Sequence, residues 1–364
     1  MPASRLRRPQ VPPPSTPEQA ATEVDLRYVD DDEPGYTRVR WGQGFTYRDS
    51  RGRTVQDRVL RRRFDGLVIP PAWTDVWICR DERGHLQATG RDARGRKQYL
   101  YHPRFQEHRA RTKFEVLLPF SRTLPVIRSR VETHLRRKTL DRDLVLALVV
   151  RLLDRTLVRV GNPEYARAND SYGLTTLTDD HLESGNGHPL ALRFPGKSGK
   201  EVIVPMTSPR LARLAKSCQE LPGQALFAYL DGEGVVRHVD SDDVNAYLRE
   251  LGGPGVSAKI FRTWGATVQA ARDLACAEPP TSGAAARRQV TATLKRVAGR
   301  LNNTLAVCRA YYVHPEVPAA YADGTLHEVF AKRAPCGAGL LASEQALADL
   351  LALRARRRRL EGTS

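Results

Sequence analysis

The chain has 364 residues, 41% of them hydrophobic, and exceeds the roughly 100–200 residues of a common single domain, so two domains with separate cores are expected. Lys and Arg number 58 against 41 Asp and Glu, a formal net charge of +17, which favours a polyanionic partner, nucleic acid before a membrane surface. The cysteines, Cys79, Cys218, Cys276, Cys308 and Cys336, form no C-x-x-C pair, so neither a zinc site nor a disulfide framework is suggested, and their odd number fits a reducing compartment.

Residues 1–22 are rich in Pro and Arg, contain no apolar run of the secretory kind, and read as a disordered tail on a cytoplasmic protein. From 23 to 107, short apolar runs such as "FDGLVIP" and "DVWICRD" alternate with turn residues, and "QATGRDARGRKQYLY" reads as strand, turn, strand. This predicts a small β-rich domain, and two domains in so basic a protein suggest a clamp around a duplex. The acidic run "DDDE" at 30–33 reads as solvated charge rather than a metal site.

Residues 108–353 carry helical periodicity through "FEVLLPFSRTLPVIRSRVETHL" and "LDRDLVLALVVRLLDRTLVRVG", with Gly161 as a helix C-cap. Arg151, Asp154, Arg155 and Arg159 interrupt the longest apolar stretch, so it reads as a buried or amphipathic helix and no membrane span is expected. A strand-rich insert follows at about 173–205, with "YGLTTLT" and then "LALRFPGKSGKEVIV". Helices resume near 207, and 354–364 form a basic tail that adds nonspecific attraction to DNA. The fold class is α+β: a small β-rich N-terminal domain, then a larger, mainly helical catalytic domain with a small antiparallel sheet.

No G-x-x-x-x-G-K-[ST] phosphate loop occurs in the sequence, and its only dense acidic run is the "DDDE" read as solvated charge, so ATP-driven and metal-dependent nuclease chemistry are not supported. Phosphodiester chemistry is left with a protein nucleophile and cationic stabilisers. A tyrosine phenol ionises near pH 10 and needs positive charge beside it. Guanidinium groups bind the charge that develops on the phosphate oxygens, and a lysine can protonate a leaving 5′ oxygen. In "NNTLAVCRAYYVHPEV" (302–317) the same nine-residue spacing fits both Asn302 with Tyr311 and Asn303 with Tyr312, and spacing alone leaves the pair open.

Several stretches, taken together, resemble the type IB DNA topoisomerases of the compact poxvirus-like branch found in bacteria. They are "GRKQYLYHPRF" (95–105), "LVRVGNPEYARANDSYGLTTL" (157–177), "FPGKSGKE" (194–201), "KIFRTWGAT" (259–267) and the 302–317 segment, in family order over about 25–345. The resemblance implies catalytic roles for Arg159, Lys197, Arg262, Asn303 and Tyr312, with Lys197 as general acid and Tyr312 as nucleophile. The family pattern C-R-x-x-Y-[VI]-[HD]-P selects Tyr312, and threonine after the donor selects Asn303. Adjacent side chains on a helix diverge by about 100°, so Tyr311 is expected to face elsewhere and pack.

Arg96, Lys97, Gln98, Tyr99 and Tyr101 would contact DNA. The implied reaction needs no cofactor: a monomer in the nucleoid relaxes double-stranded DNA through a 3′-phosphotyrosyl intermediate, strand rotation and religation. Two departures stand out: asparagine at 303 where many members have histidine, and Leu305 where proline is usual. His181, His188 and His314 have no matched partners and receive no catalytic role. A tyrosine recombinase is the nearest alternative, but its usual H-x-x-R is here Lys259-x-x-Arg262. A noncatalytic basic DNA-binding protein is the other.

Overall fold

The computed structural model describes residues 10–183, 190–337 and 339–361; His188 and the ends of both tails lie outside them. The chain divides into two compact units, Pro14–Phe114 and the remainder.

In the first unit, α1 (Pro17–Thr22) opens with a reciprocal cap between Thr16 and Gln19 and buries Ala20 and Ala21 against Leu26 and Phe105. The expected disordered tail is therefore folded here. Next come β1 (Tyr36–Trp41), β2 (Gly44–Arg48), α2 (Arg58–Gly66), β3 (Thr74–Ile78), β4 (Leu86–Arg91), β5 (Lys97–Tyr101) and α3 (Pro103–Thr112). The strands form a five-stranded antiparallel sheet in the order β2-β1-β3-β4-β5, with β5 at an edge. Its core gathers Tyr47, Val76, Ile78 and Ala88 around Phe64 of α2. The start of "FDGLVIP" thus closes a helix capped by Asp57 instead of entering a strand. Nor is "DDDE" simply solvated: Asp31 pairs with Lys97 at 2.7 Å and Glu33 with Arg27 at 3.0 Å.

The second unit contains α4 (Leu117–His134), α5 (Arg142–Thr156), α6 (Pro163–Asn169), β6 (Leu182–Glu183), β7 (Ala191–Pro195), β8 (Glu201–Pro205), α7 (Pro209–Gln219), β9 (Ala228–Leu230), β10 (Val236–His238) and α8 (Ser241–Gly252). It ends with α9 (Ala258–Ala275), α10 (Gly283–Arg300), α11 (Leu305–Tyr311), α12 (Glu316–Ala322), α13 (Thr325–Arg333) and α14 (Leu340–Glu361). Strands β6, β7 and β8 make a small antiparallel sheet, as expected for the insert. "YGLTTLT" instead supplies a 3₁₀ turn, Leu174–Thr176, and the pair β9–β10 interrupts the run expected to be helical.

Every residue from Leu144 to Val150 is buried, which makes α5 the centre of this unit, as a helix apolar on all sides must be. Beside it, Arg128 of α4 pairs with Asp154 of α5 at 2.8 Å and with Glu344 of α14 at 2.7 Å. Glu344 also accepts from the Trp264 indole of α9 at 3.0 Å. Three helices are thereby tied to α9, which carries Arg262. The basic tail is mostly the end of α14, where Arg354 and Arg358 pair with Glu316 of α12; Arg356 and Arg357 remain exposed. A disulfide joins Cys276, at the end of α9, to Cys336, which corrects the expectation of free thiols at those two positions.

Residues 10–13 lie along the second unit as a strap. Val11 is fully buried; its N–H donates to the Gly252 carbonyl and its carbonyl accepts from Gly255 N–H, both at 3.0 Å. A Cβ on Gly255 would overlap the Pro12 carbonyl. Gly255→Val should therefore displace the strap and expose Val11, at a cost of about 2 kcal/mol and a melting temperature lower by roughly 4–8 °C. In a chain lacking residues 1–13 the same substitution should cost little, and thermal melts of the four chains check this.

Candidate active site

Arg159 lies beyond the end of α5, in a loop that is tightly specified. The helix ends at Thr156 with Leu157 in the left-handed region at φ 58°, four residues before the expected Gly161 cap. Gly161 still needs to be glycine, at φ 113°. Leu174 N–H bonds the Arg159 carbonyl at 2.9 Å, and a Cβ on Gly173 would sit 2.7 Å from that oxygen. The Arg159 side chain donates to Asn303 Oδ1 at 2.7 Å.

Arg262, expected to be catalytic, is 5% exposed one turn into α9. It donates to the Leu157 carbonyl and to the Leu301 carbonyl at 3.0 Å, which fixes it against the chain before Arg159 and the chain before Asn303. Its guanidinium carbon lies 5.4 Å from the centre of the Tyr312 ring. Burial, then the neighbouring Arg159, pushes the Arg262 guanidinium down to about 10, still protonated at neutral pH.

Tyr312 is the C-cap of α11, just outside its last helical turn. Burial alone would raise its phenol, but the charge and hydrogen bond of Arg262, followed by Arg159 and Lys259, bring it below its ordinary value. Tyr311 is 52% exposed, more open than expected of a packed residue. Leu305, where proline is usual, is the first residue of α11, and Thr304 caps that helix by accepting from Val307 N–H at 3.2 Å. Proline is favoured at a first helical position because its fixed φ suits it, and a capped helix accommodates leucine there.

Lys197 stands on the 3₁₀ turn, Lys197–Gly199, between β7 and β8, and is exposed. A cleft of about 290 Å³ brings it together with Arg159, Arg262 and Tyr312, and also with Lys259 and Tyr172. Among the described residues lining that cleft there is no carboxylate. Asn303 is not in the lining; it is connected through Arg159, and its Nδ2 is buried without a partner.

Such a cleft concentrates cations around a tyrosine of lowered pKa, an arrangement suited to a phosphodiester. Residues 102–325 match the family described as "Eukaryotic DNA topoisomerase I, catalytic core", and residues 44–92 match "Bacterial DNA topoisomerase IB, N-terminal domain". The chain belongs to the type IB DNA topoisomerases. The DNA topoisomerase 1B of Acanthamoeba polyphaga mimivirus is 31% identical over 258 residues, 69% of this chain and 76% of the viral one. The DNA topoisomerase 1 of Rabbit fibroma virus is 22% identical over 292 residues, 74% and 87% of the two chains. The DNA topoisomerase 1B of Vaccinia virus, strain Copenhagen, is 20% identical over 273 residues, 73% and 83%.

The residues of this topoisomerase expected at DNA are not all presented alike. Along β5, Lys97, Tyr99 and Tyr101 share one face, while Gln98 and Leu100 point to the other. Tyr99 is 48% exposed and stacks on Tyr101, ring centres 6.0 Å apart. Arg96 and Gln98 are both held by Asp92, at 2.7 and 3.0 Å. Sequence reasoning missed Lys259 and Tyr172 as cleft residues. Lys259 was legible, since it precedes Arg262 by three positions and so shares its helix face; Tyr172 gave no signal.

Proposed function

We propose that Tyr312 attacks a phosphodiester of double-stranded DNA, forming a 3′-phosphotyrosyl bond and releasing a 5′ hydroxyl, which reverses the step after the strand has rotated. The gathering of Tyr312, Arg159, Arg262 and Lys197 in one cleft carries this reading. Arg159 and Arg262 neutralise charge on the non-bridging oxygens as the fifth bond forms. Lys197, on its exposed turn, delivers the proton that the 5′ oxygen needs on leaving. Asn303 aligns Arg159, and a phosphate oxygen would satisfy its Nδ2.

One phosphodiester replaces another, so the cycle is close to isoenergetic and needs no ATP. Charge stabilisation comes from guanidinium and ammonium groups, so no metal is obligatory. The face of β5 that carries exposed Lys97 and Tyr99 and half-buried Tyr101 supplies DNA contacts, and residues 23–107 act as the clamping domain while 108–353 do the chemistry. A monomer suffices, because every residue of the reaction lies on one chain, and the enzyme works in the nucleoid. A cytoplasmic location fits a DNA enzyme with a bacterial-type N-terminal domain.

The purified protein should relax supercoiled plasmid in EDTA without ATP, accumulating a denaturant-trapped covalent complex during turnover. An absolute requirement for Mg²⁺ or ATP would overturn the mechanism. Exchange restricted to paired specific sites would favour a recombinase.

A further inference from the structure

We propose that Thr267 is a positioning residue for the nucleophile, its hydroxyl anchoring the backbone at Tyr312 and His314; this rests on the reading of Tyr312 given above. Thr267 is fully buried on α9, five residues after Arg262. Its hydroxyl faces the Thr263 carbonyl at 2.7 Å and the Tyr312 carbonyl at 3.1 Å, and accepts from His314 N–H at 3.2 Å. A threonine inside a helix ordinarily bonds only the carbonyl four residues back. Here the same group reaches across to another element and grips it on both sides of Val313.

The grip matters because Tyr312 closes the helical ladder and has itself left the helical conformation. Its φ and ψ are −125° and −21°, and its N–H and that of Val313 both turn back to the Cys308 carbonyl, at 3.0 and 3.2 Å. The Cys308 carbonyl thus holds the N–H side of Tyr312, and Thr267 holds the carbonyl side. Because α9 carries Arg262 and Lys259 as well as Thr267, the nucleophile and two of its cations are referred to one rigid element. In-line attack at phosphorus depends on that reference, since a misplacement of about 1 Å can cost on the order of 10²-fold in rate.

The test compares Thr267→Val, which keeps the shape and loses the hydroxyl, with Thr267→Ser, which keeps the hydroxyl. Single-turnover formation of the covalent adduct and equilibrium duplex affinity are measured on chains whose melting shows them folded. Thr267→Val should form adduct about 10²-fold more slowly with duplex affinity unchanged, and Thr267→Ser should recover most of the rate. Wild-type cleavage by Thr267→Val, or a serine chain as slow as the valine one, would overturn the proposal. So would a loss of duplex affinity matching the loss of rate. If the valine chain does not fold, Thr267→Ala takes its place with the same expected and overturning results. An adduct formed by Tyr312→Phe would instead overturn the reading of the nucleophile itself, whatever Thr267 does.

Discussion

Tyr312→Phe should abolish plasmid relaxation and the covalent complex while leaving duplex binding intact. Loss of a covalent nucleophile costs on the order of 10⁶-fold in other enzymes. Tyr311, the neighbour at equivalent spacing, is 52% exposed and does not line the cleft; Tyr311→Phe should relax DNA at the normal rate. The phenol lost in Tyr312→Phe is one whose pKa Arg262 holds below the ordinary value. Cleavage by the unaltered enzyme should therefore rise with pH and level off below about 10, the value of a free phenol, as read from single-turnover rates across pH.

Arg262→Ala should show two losses at once, because the guanidinium is both a stabiliser of the reaction and a strut of the site. Removing a donor aimed at developing charge costs about 10²–10³-fold in rate. The Leu157 and Leu301 carbonyls, which Arg262 bonds, are left without that donor, at about 1–3 kcal/mol each for a buried group. Single-turnover cleavage and thermal melting together check this: a slow but fully stable Arg262→Ala chain would contradict the strut, and a destabilised but fully active one would contradict the catalytic role. The pH limb of cleavage should also move upward, since the charge that contributes most to lowering the Tyr312 phenol has gone.

Much of this site could be read in the sequence, and the parts that could not share a physical cause. Motif order picked out Arg159, Lys197, Arg262 and Tyr312, and the cleft contains all four. Periodicity identified α4 and α5 because their apolar positions recur at helical spacing, and alternation identified the hairpin of β7 and β8. Burial was harder. The motif marks Arg262 but does not show its burial, which comes from the carbonyls of Leu157 and Leu301, 105 and 39 positions away. The helix end at Leu157 was misplaced because a non-glycine residue takes the left-handed conformation there, while Gly161 offered a conventional stop signal. The folding of residues 10–22 was missed because Pro-rich composition resembles disorder, although Val11, Ala20 and Ala21 are buried. Thr267 gave no signal, as a threonine in a helix reveals nothing of a partner 45 positions away.

In the proposed mechanism one phenol, that of Tyr312, becomes bonded to DNA. Protein trapped on duplex during relaxation in EDTA, digested with protease and analysed by mass spectrometry, should yield a single nucleotide-bearing peptide with the modification on Tyr312. Modification of Tyr311, or of any residue outside the cleft, would contradict the account.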